Sequence, residues 1–129
     1  METQLRAALL AWLRADPALI GKLNAIEEEA PVRTAIPWLG VAASASVDWS
    51  TKECNGREVR LALELHMRGD DPATGAQTIA AVENRIETIP AAQGGFSIVS
   101  VRFLRARAEQ RTGNVRAILL EYRFRLLEA

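Results

Sequence analysis

The chain has one cysteine, one histidine and one tyrosine, and aromatic residues make up only 5% of it. With Cys54 alone, no intrachain disulfide can form, so a small stapled secreted scaffold is excluded and the fold must rest on packing. With His66 alone beside that cysteine, most Cys/His metal sets and most nucleophile–histidine constellations are excluded as well. The glycines at 69, 75, 94, 95 and 113 fall into no phosphate-binding or dinucleotide pattern. Nothing approaches the run of roughly 18 to 20 apolar residues that spans a bilayer. The apolar stretch Ala7 to Leu13 is preceded by Glu2 and Arg6 and followed by Arg14 and Asp16, with no cleavage-site pattern, which argues against a signal peptide. These absences predict a soluble, cytoplasmically made protein that is not an enzyme, has no cofactor or metal and has no membrane partner.

Net charge is also missing: 16 basic side chains cancel 16 acidic ones, so no global field favours nonspecific nucleic-acid binding. The cancellation is uneven. From Ser97 onward seven arginines face three glutamates, so this part carries +4 and the first 96 residues carry −4. Oppositely charged parts let copies of one chain dock on each other, although the same charges also solvate opposite sheet edges. Length and an apolar content of 49% suit one ordinary core, hence a single domain over residues 1–129.

The clearest periodicity lies between Arg57 and Arg68. Val59, Leu61, Leu63, Leu65 and Met67 share one parity and Glu58, Arg60, Glu64, His66 and Arg68 the other, the pattern of a strand buried on one face. Before it, Leu5, Leu9, Trp12 and Leu13 predict a helix from about Glu2 to Ala15, ended by Asp16-Pro17. Leu19 to Pro31 is ambiguous, with a short strand around Leu23 to Glu27, and Pro31 and Pro37 bracket a surface crossing. A plain, alanine-rich strand from Trp38 to Trp49 is expected to form a long hairpin with the patterned one, the Asn55-Gly56 dipeptide supplying positive φ. Asp71 and Pro72 start a second helix whose apolar face is Ala76, Ile79, Val82, Ile86 and Ile89, and which stops at Pro90. Phe96 to Glu109 and Val115 to Leu127 form a second strand pair; in the first of them the apolar parity changes near Phe103, which predicts a bulge. The sum is an α+β, two-layer fold: an antiparallel or mixed sheet of about four or more strands with two helices packed on one face.

Candidate chemistry is thin. His66 sits on the polar parity of its strand, Cys54 lies in a loop beside Lys52 and Glu53 with no sequence-near histidine or helix start to activate it, and Asp70-Asp71 reads as a helix cap rather than a cation site. Glu27, Glu28 and Glu29 read as a solvated face. Arg102, Arg123 and Arg125 could line a groove for a phosphate backbone, but interspersed glutamates and zero net charge count against direct nucleic-acid binding. Trp12 and Trp38 suit core or edge packing. Trp49, at the mouth of a polar loop carrying Lys52, is the aromatic best placed as an interface anchor. The expected protein-interface residues are Trp49, Lys52, Arg102, Arg123 and Arg125.

The order of elements, with Asp48-Trp49-Ser50, Asn55-Gly56-Arg57 and Gly69-Asp70-Asp71-Pro72 at the junctions, resembles the tail-completion or tail terminator proteins of long-tailed phages and the related gene transfer agents. That resemblance runs over most of the chain. It implies a structural virion protein that forms a homohexameric ring, caps the tail tube and presents the surface that joins the head. The implied partners are other copies of the chain, the tail tube protein and a head–tail connector or stopper; no sequence-specific nucleic acid is implied, although DNA can pass through such a ring. The implied location is the head-proximal end of the tail, after synthesis in the bacterial cytoplasm. Two alternatives remain: another head–tail connector or minor tail component, and a small ligand-binding or enzymatic α+β domain, which would need a cluster of convergent polar groups.

Overall fold

The computed structural model describes residues 1–29 and 33–129; Pro31, one of the two prolines expected to bracket a surface crossing, lies outside them. The first helix, α1 (Glu2–Arg14), buries Leu5, Leu9, Leu10 and Leu13 on one face, with Glu2 in its first turn and Arg14 in its last, as the helix dipole favours. Asp16 takes an extended backbone before Pro17 and so ends α1. It also begins a further helix that the sequence reading did not include: its carboxylate accepts the Ala18 N–H and opens the single turn α2 (Pro17–Ile20), which buries Leu19 completely.

The strands are β1 (Ala25–Glu27), β2 (Trp38–Asp48), β3 (Gly56–Arg68), β4 (Ala92–Gln93), β5 (Phe96–Arg111) and β6 (Val115–Glu128), with α3 (Pro72–Glu87) between β3 and β4. They form one mixed sheet in the order β1-β2-β3-β6-β5-β4, with β1 parallel to β2 and the other pairs antiparallel. The hairpins β2–β3 and β5–β6 are joined through β3 and β6, which pair without a break from Gly56 opposite Leu127 to Arg68 opposite Val115. All the helices pack on one face. There Val59, Leu61, Leu63, Leu65 and Met67 of β3 meet Ile118, Leu120, Tyr122, Phe124 and Leu126 of β6 beneath the leucines of α1 and Val82 and Ile86 of α3. Each such side chain contributes about 1.5–3 kcal/mol when fully withdrawn from water, so this face carries most of the stability.

Three expectations are corrected. The packed face of α3 is Gly75, Thr78, Val82 and Ile86, while Ala76 is exposed and Ile79 half-buried. The start of α3 lies so close to Met67 that a Cβ on Gly75 would stand 3.2 Å from the Met67 Cε, and Thr78 tolerates burial because its hydroxyl donates to the Thr74 carbonyl. Gly56 is not a positive-φ turn residue; a Cβ there would lie 2.3 Å from the Trp49 carbonyl oxygen and 2.7 Å from that of Leu126, so close backbone approach is what requires glycine. Finally, β5 has two register shifts, one at the predicted place between Phe103 and Arg105 and one between Ile98 and Ser100, so Phe96 and Ile98 are the buried residues and Val99 is exposed.

Candidate assembly interface

Residues directly opposite each other on neighbouring strands point to the same side of a sheet. The registers therefore place Glu58, Arg125 and Ser100 in one row across the helix-free face, Arg60, Arg123 and Arg102 in the next, and Ala62, Glu121 and Arg105 in a third. Arg125 pairs with Glu58 at 3.0 Å, Arg123 approaches the same carboxylate at 3.8 Å, and Arg105 makes a two-pronged contact with Glu121 at 2.7 and 3.2 Å. Towards the other end of the sheet, Arg111 bridges Glu64 and Glu109, and His66 pairs with Glu64 while stacking on Trp38 at 4.0 Å between ring centroids. Surface pairs of this kind contribute about 0–1 kcal/mol each, so they explain little of the stability. What they do is hold long cationic side chains in a fixed array.

The structure brings four of the five expected interface residues together. Trp49 is half-buried and its backbone N–H donates to the Gly56 carbonyl at 3.0 Å, closing the end of the β2–β3 hairpin; the Arg125 guanidinium lies over its ring at 5.4 Å. Arg123 shares Glu58 with Arg125, and Arg102 stands opposite Arg123. Lys52 lies apart, exposed at the tip of the loop. That loop is held by the Thr51 N–H on the Cys54 carbonyl and by Cys54 and Asn55, which donate to the backbone carbonyl and side-chain carboxylate of Glu128. Cys54 is thus a hydrogen-bonded loop residue. Asp71 caps α3 by accepting the Thr74 N–H, and Asp70 pairs with Arg68, which holds its carboxyl below the usual range. Glu27 and Glu28 pair with Arg14 and Arg6 of α1 rather than facing only water.

Sequence reasoning did not single out Arg60, and although the resemblance implies that exposed strand edges pair between subunits, it did not say which edges are free. Arg60 was legible as polar parity on β3, but its place beside Arg123 depends on which strands are neighbours. Among the described residues, β1 covers β2 only from Trp38 to Gly40, and β4 covers β5 only at Phe96 and Ser97, Ile98 adding a bond to Ala91. The outer sides of β2 from Val41 and of β5 from Val99 therefore carry backbone groups without strand partners. Among the described residues, three of the four large exposed apolar side chains lie on these edges: Val47 at 59% exposure, Val99 at 52% and Phe103 at 41%. Unpaired edges flanked by exposed apolar groups are surfaces for another chain.

The family described as "Tail completion protein gp17" matches residues 7–127. The chain belongs to that family. Among solved structures, a chain of the virion of a native gene transfer agent particle superposes with a TM-score of 0.76 at 26% identity, over 98% of this chain and 96% of that one. No curated protein sequence matches. As a tail-completion protein, the chain is a structural, non-catalytic part of phage or gene transfer agent tail assembly.

Proposed function

We propose that copies of this tail-completion protein join head to tail into a closed hexameric ring, which caps the tail tube at its head-proximal end and offers its other surface to the head connector. The observation that carries this reading is the pair of free edges on opposite sides of one sheet, each with exposed apolar side chains. A contact between two different patches repeats from copy to copy and closes when the rotation allows, whereas a self-complementary patch stops at a dimer. The segments free of bulges differ in length by one residue only: residues 105–111 on β5, and residues 43–48 on β2, where Ala43 and Ala45 leave room for the arginines of a neighbouring strand. In this reading Trp49 with Arg125, and Lys52 at the loop tip, meet the tube or the connector, and Arg102 and Arg123 add to the same surface. Polymerisation of the tube stops because the ring presents no further copy of the surface on which it docked.

Electron microscopy of assembled particles with this chain located tests the reading. Six copies in a ring between tube and connector are expected; the chain at the distal tip refutes it in favour of a minor tail component, and the chain inside the head or absent from the particle refutes it outright.

A further inference from the structure

The row Arg60, Arg123 and Arg102 places three arginines side by side on the same face of three adjacent strands, which lie about 4.8 Å apart. Like charges opposite each other on a sheet are unfavourable unless something neutralises them. Among the described residues, neither Arg60 nor Arg102 has a carboxylate within 4.0 Å, and Arg123 has only Glu58 at 3.8 Å, which Arg125 already occupies at 3.0 Å. The Arg123 Nε is buried with no hydrogen-bond partner, and in the adjoining row the Ser100 Oγ is also buried with none. Buried polar groups are almost always satisfied, so two orphaned side-chain atoms beside an uncompensated arginine row mark a place built for a group the isolated chain lacks.

We propose that this row is a carboxylate-binding site for an acidic segment of another tail protein, with a glutamate or aspartate side chain accepting from Arg123 Nε and flanked by Arg60 and Arg102. A carboxylate on a side-chain stem suits the site better than a nucleic-acid backbone. The side chain of Arg123 is only 18% exposed, so its donor must be reached from above by a slender group, which a carboxylate on a flexible side-chain stem supplies and a phosphodiester backbone does not. A second copy is a poor donor, because in the acidic run at 27–29 Glu27 and Glu28 are engaged by α1. The inference rests on the tail reading only in naming the source of the carboxylate.

The test uses the isolated full chain, labelled with nitrogen-15, titrated at low salt with a hexaglutamate peptide, a hexaglutamine peptide and a short DNA duplex. Hexaglutamate is expected to shift the Nε–H resonances of Arg123 and Arg102 saturably while hexaglutamine does not, with Arg60→Gln and Arg102→Gln each weakening binding by roughly ten-fold, as loss of a charge-assisted hydrogen bond would. Arg107→Gln, on the same face but paired with Glu109, should leave the affinity unchanged. A silent Arg123, or equal weakening by Arg107→Gln, overturns the site. Tighter binding of the duplex through Arg60 and Arg102 overturns the protein carboxylate in favour of nucleic acid. None of these outcomes depends on ring formation, so failure of the ring and failure of the site are separate results.

Discussion

β6 has two faces that differ in almost every respect. Towards the helices it places Ile118, Leu120, Tyr122, Phe124 and Leu126, all buried; towards the open side it places Leu119, Glu121, Arg123, Arg125 and Leu127, all half-buried. The first face is held by the withdrawal of apolar area from water, worth several kcal/mol per side chain pair, and the second by ion pairs worth about 0–1 kcal/mol each. Fold and proposed recognition thus fall to alternate residues of the same strand, and substitutions on the two faces should fail in different ways.

The largest expected effect tests the covered face. Leu63→Asp would put an unpaired carboxylate at a fully buried position and should abolish folding; a soluble variant with a cooperative thermal melt would overturn the assignment of that face. Next comes the hairpin that joins the covered face to the loop. Gly56→Ala should cost roughly 1–3 kcal/mol in urea unfolding, because the new methyl group meets backbone on two sides and backbone cannot rotate away. On the open face, Arg123→Glu with Arg125→Glu should remain folded by circular dichroism, yet leave heads and tails unjoined in particles; normal particles would reduce these arginines to solvation.

The smallest effect concerns Glu83 on α3, whose carboxyl is pushed above its usual range by burial and, secondarily, by the nearby Glu87. A raised carboxylate pKa means that the folded state holds the proton more tightly than the unfolded chain. Glu83 therefore costs stability at neutral pH, and the cost is relieved as pH falls through its folded-state pKa. Glu83→Gln should melt slightly higher than the parent at pH 7, and the gap should close in mildly acid buffer; a gap that widens on acidification would contradict the direction of the shift. The same burial, with Glu83 and Glu87 nearby, also pushes the Tyr122 hydroxyl upward, so that group stays protonated across this range.

What was legible in the sequence is what depends on near neighbours. The alternation of β3 named its buried side chains because a strand's period is two, and α1 declared itself by the spacing of Leu5, Leu9 and Leu13. Asp16-Pro17 was read only as a stop, although Asp71-Pro72, the same dipeptide, was read as a start; a single turn offers too few residues for periodicity to show. The arginine-bearing face proposed as the contact surface was half legible. Arg123 and Arg125 stood out as polar parity on the last strand, but the ladder they form with Arg60 and Glu58 depends on β6 lying next to β3, a pairing across more than fifty intervening residues at the hairpin mouth. The free edge of β5 was hidden for the same reason, since nothing local tells a strand how many neighbours it has.

The order of strands also sets a timetable. β6 is the last of the described strands in the chain, yet it sits between β3 and β5 in the sheet. While the polypeptide emerges, the β2–β3 hairpin can close by itself, but the Glu58–Arg125 pair and the arginine row cannot exist until β6 slots into the middle, and the loop around Cys54 and Asn55 has nothing to grip until Glu128 arrives. A subunit interrupted before β6 would therefore lack the arginine row and would keep only the outer edge of β2 among the surfaces proposed for assembly. In the proposed ring such a copy could offer one edge and not the other, so completing the sheet is what would make a subunit able to continue the ring.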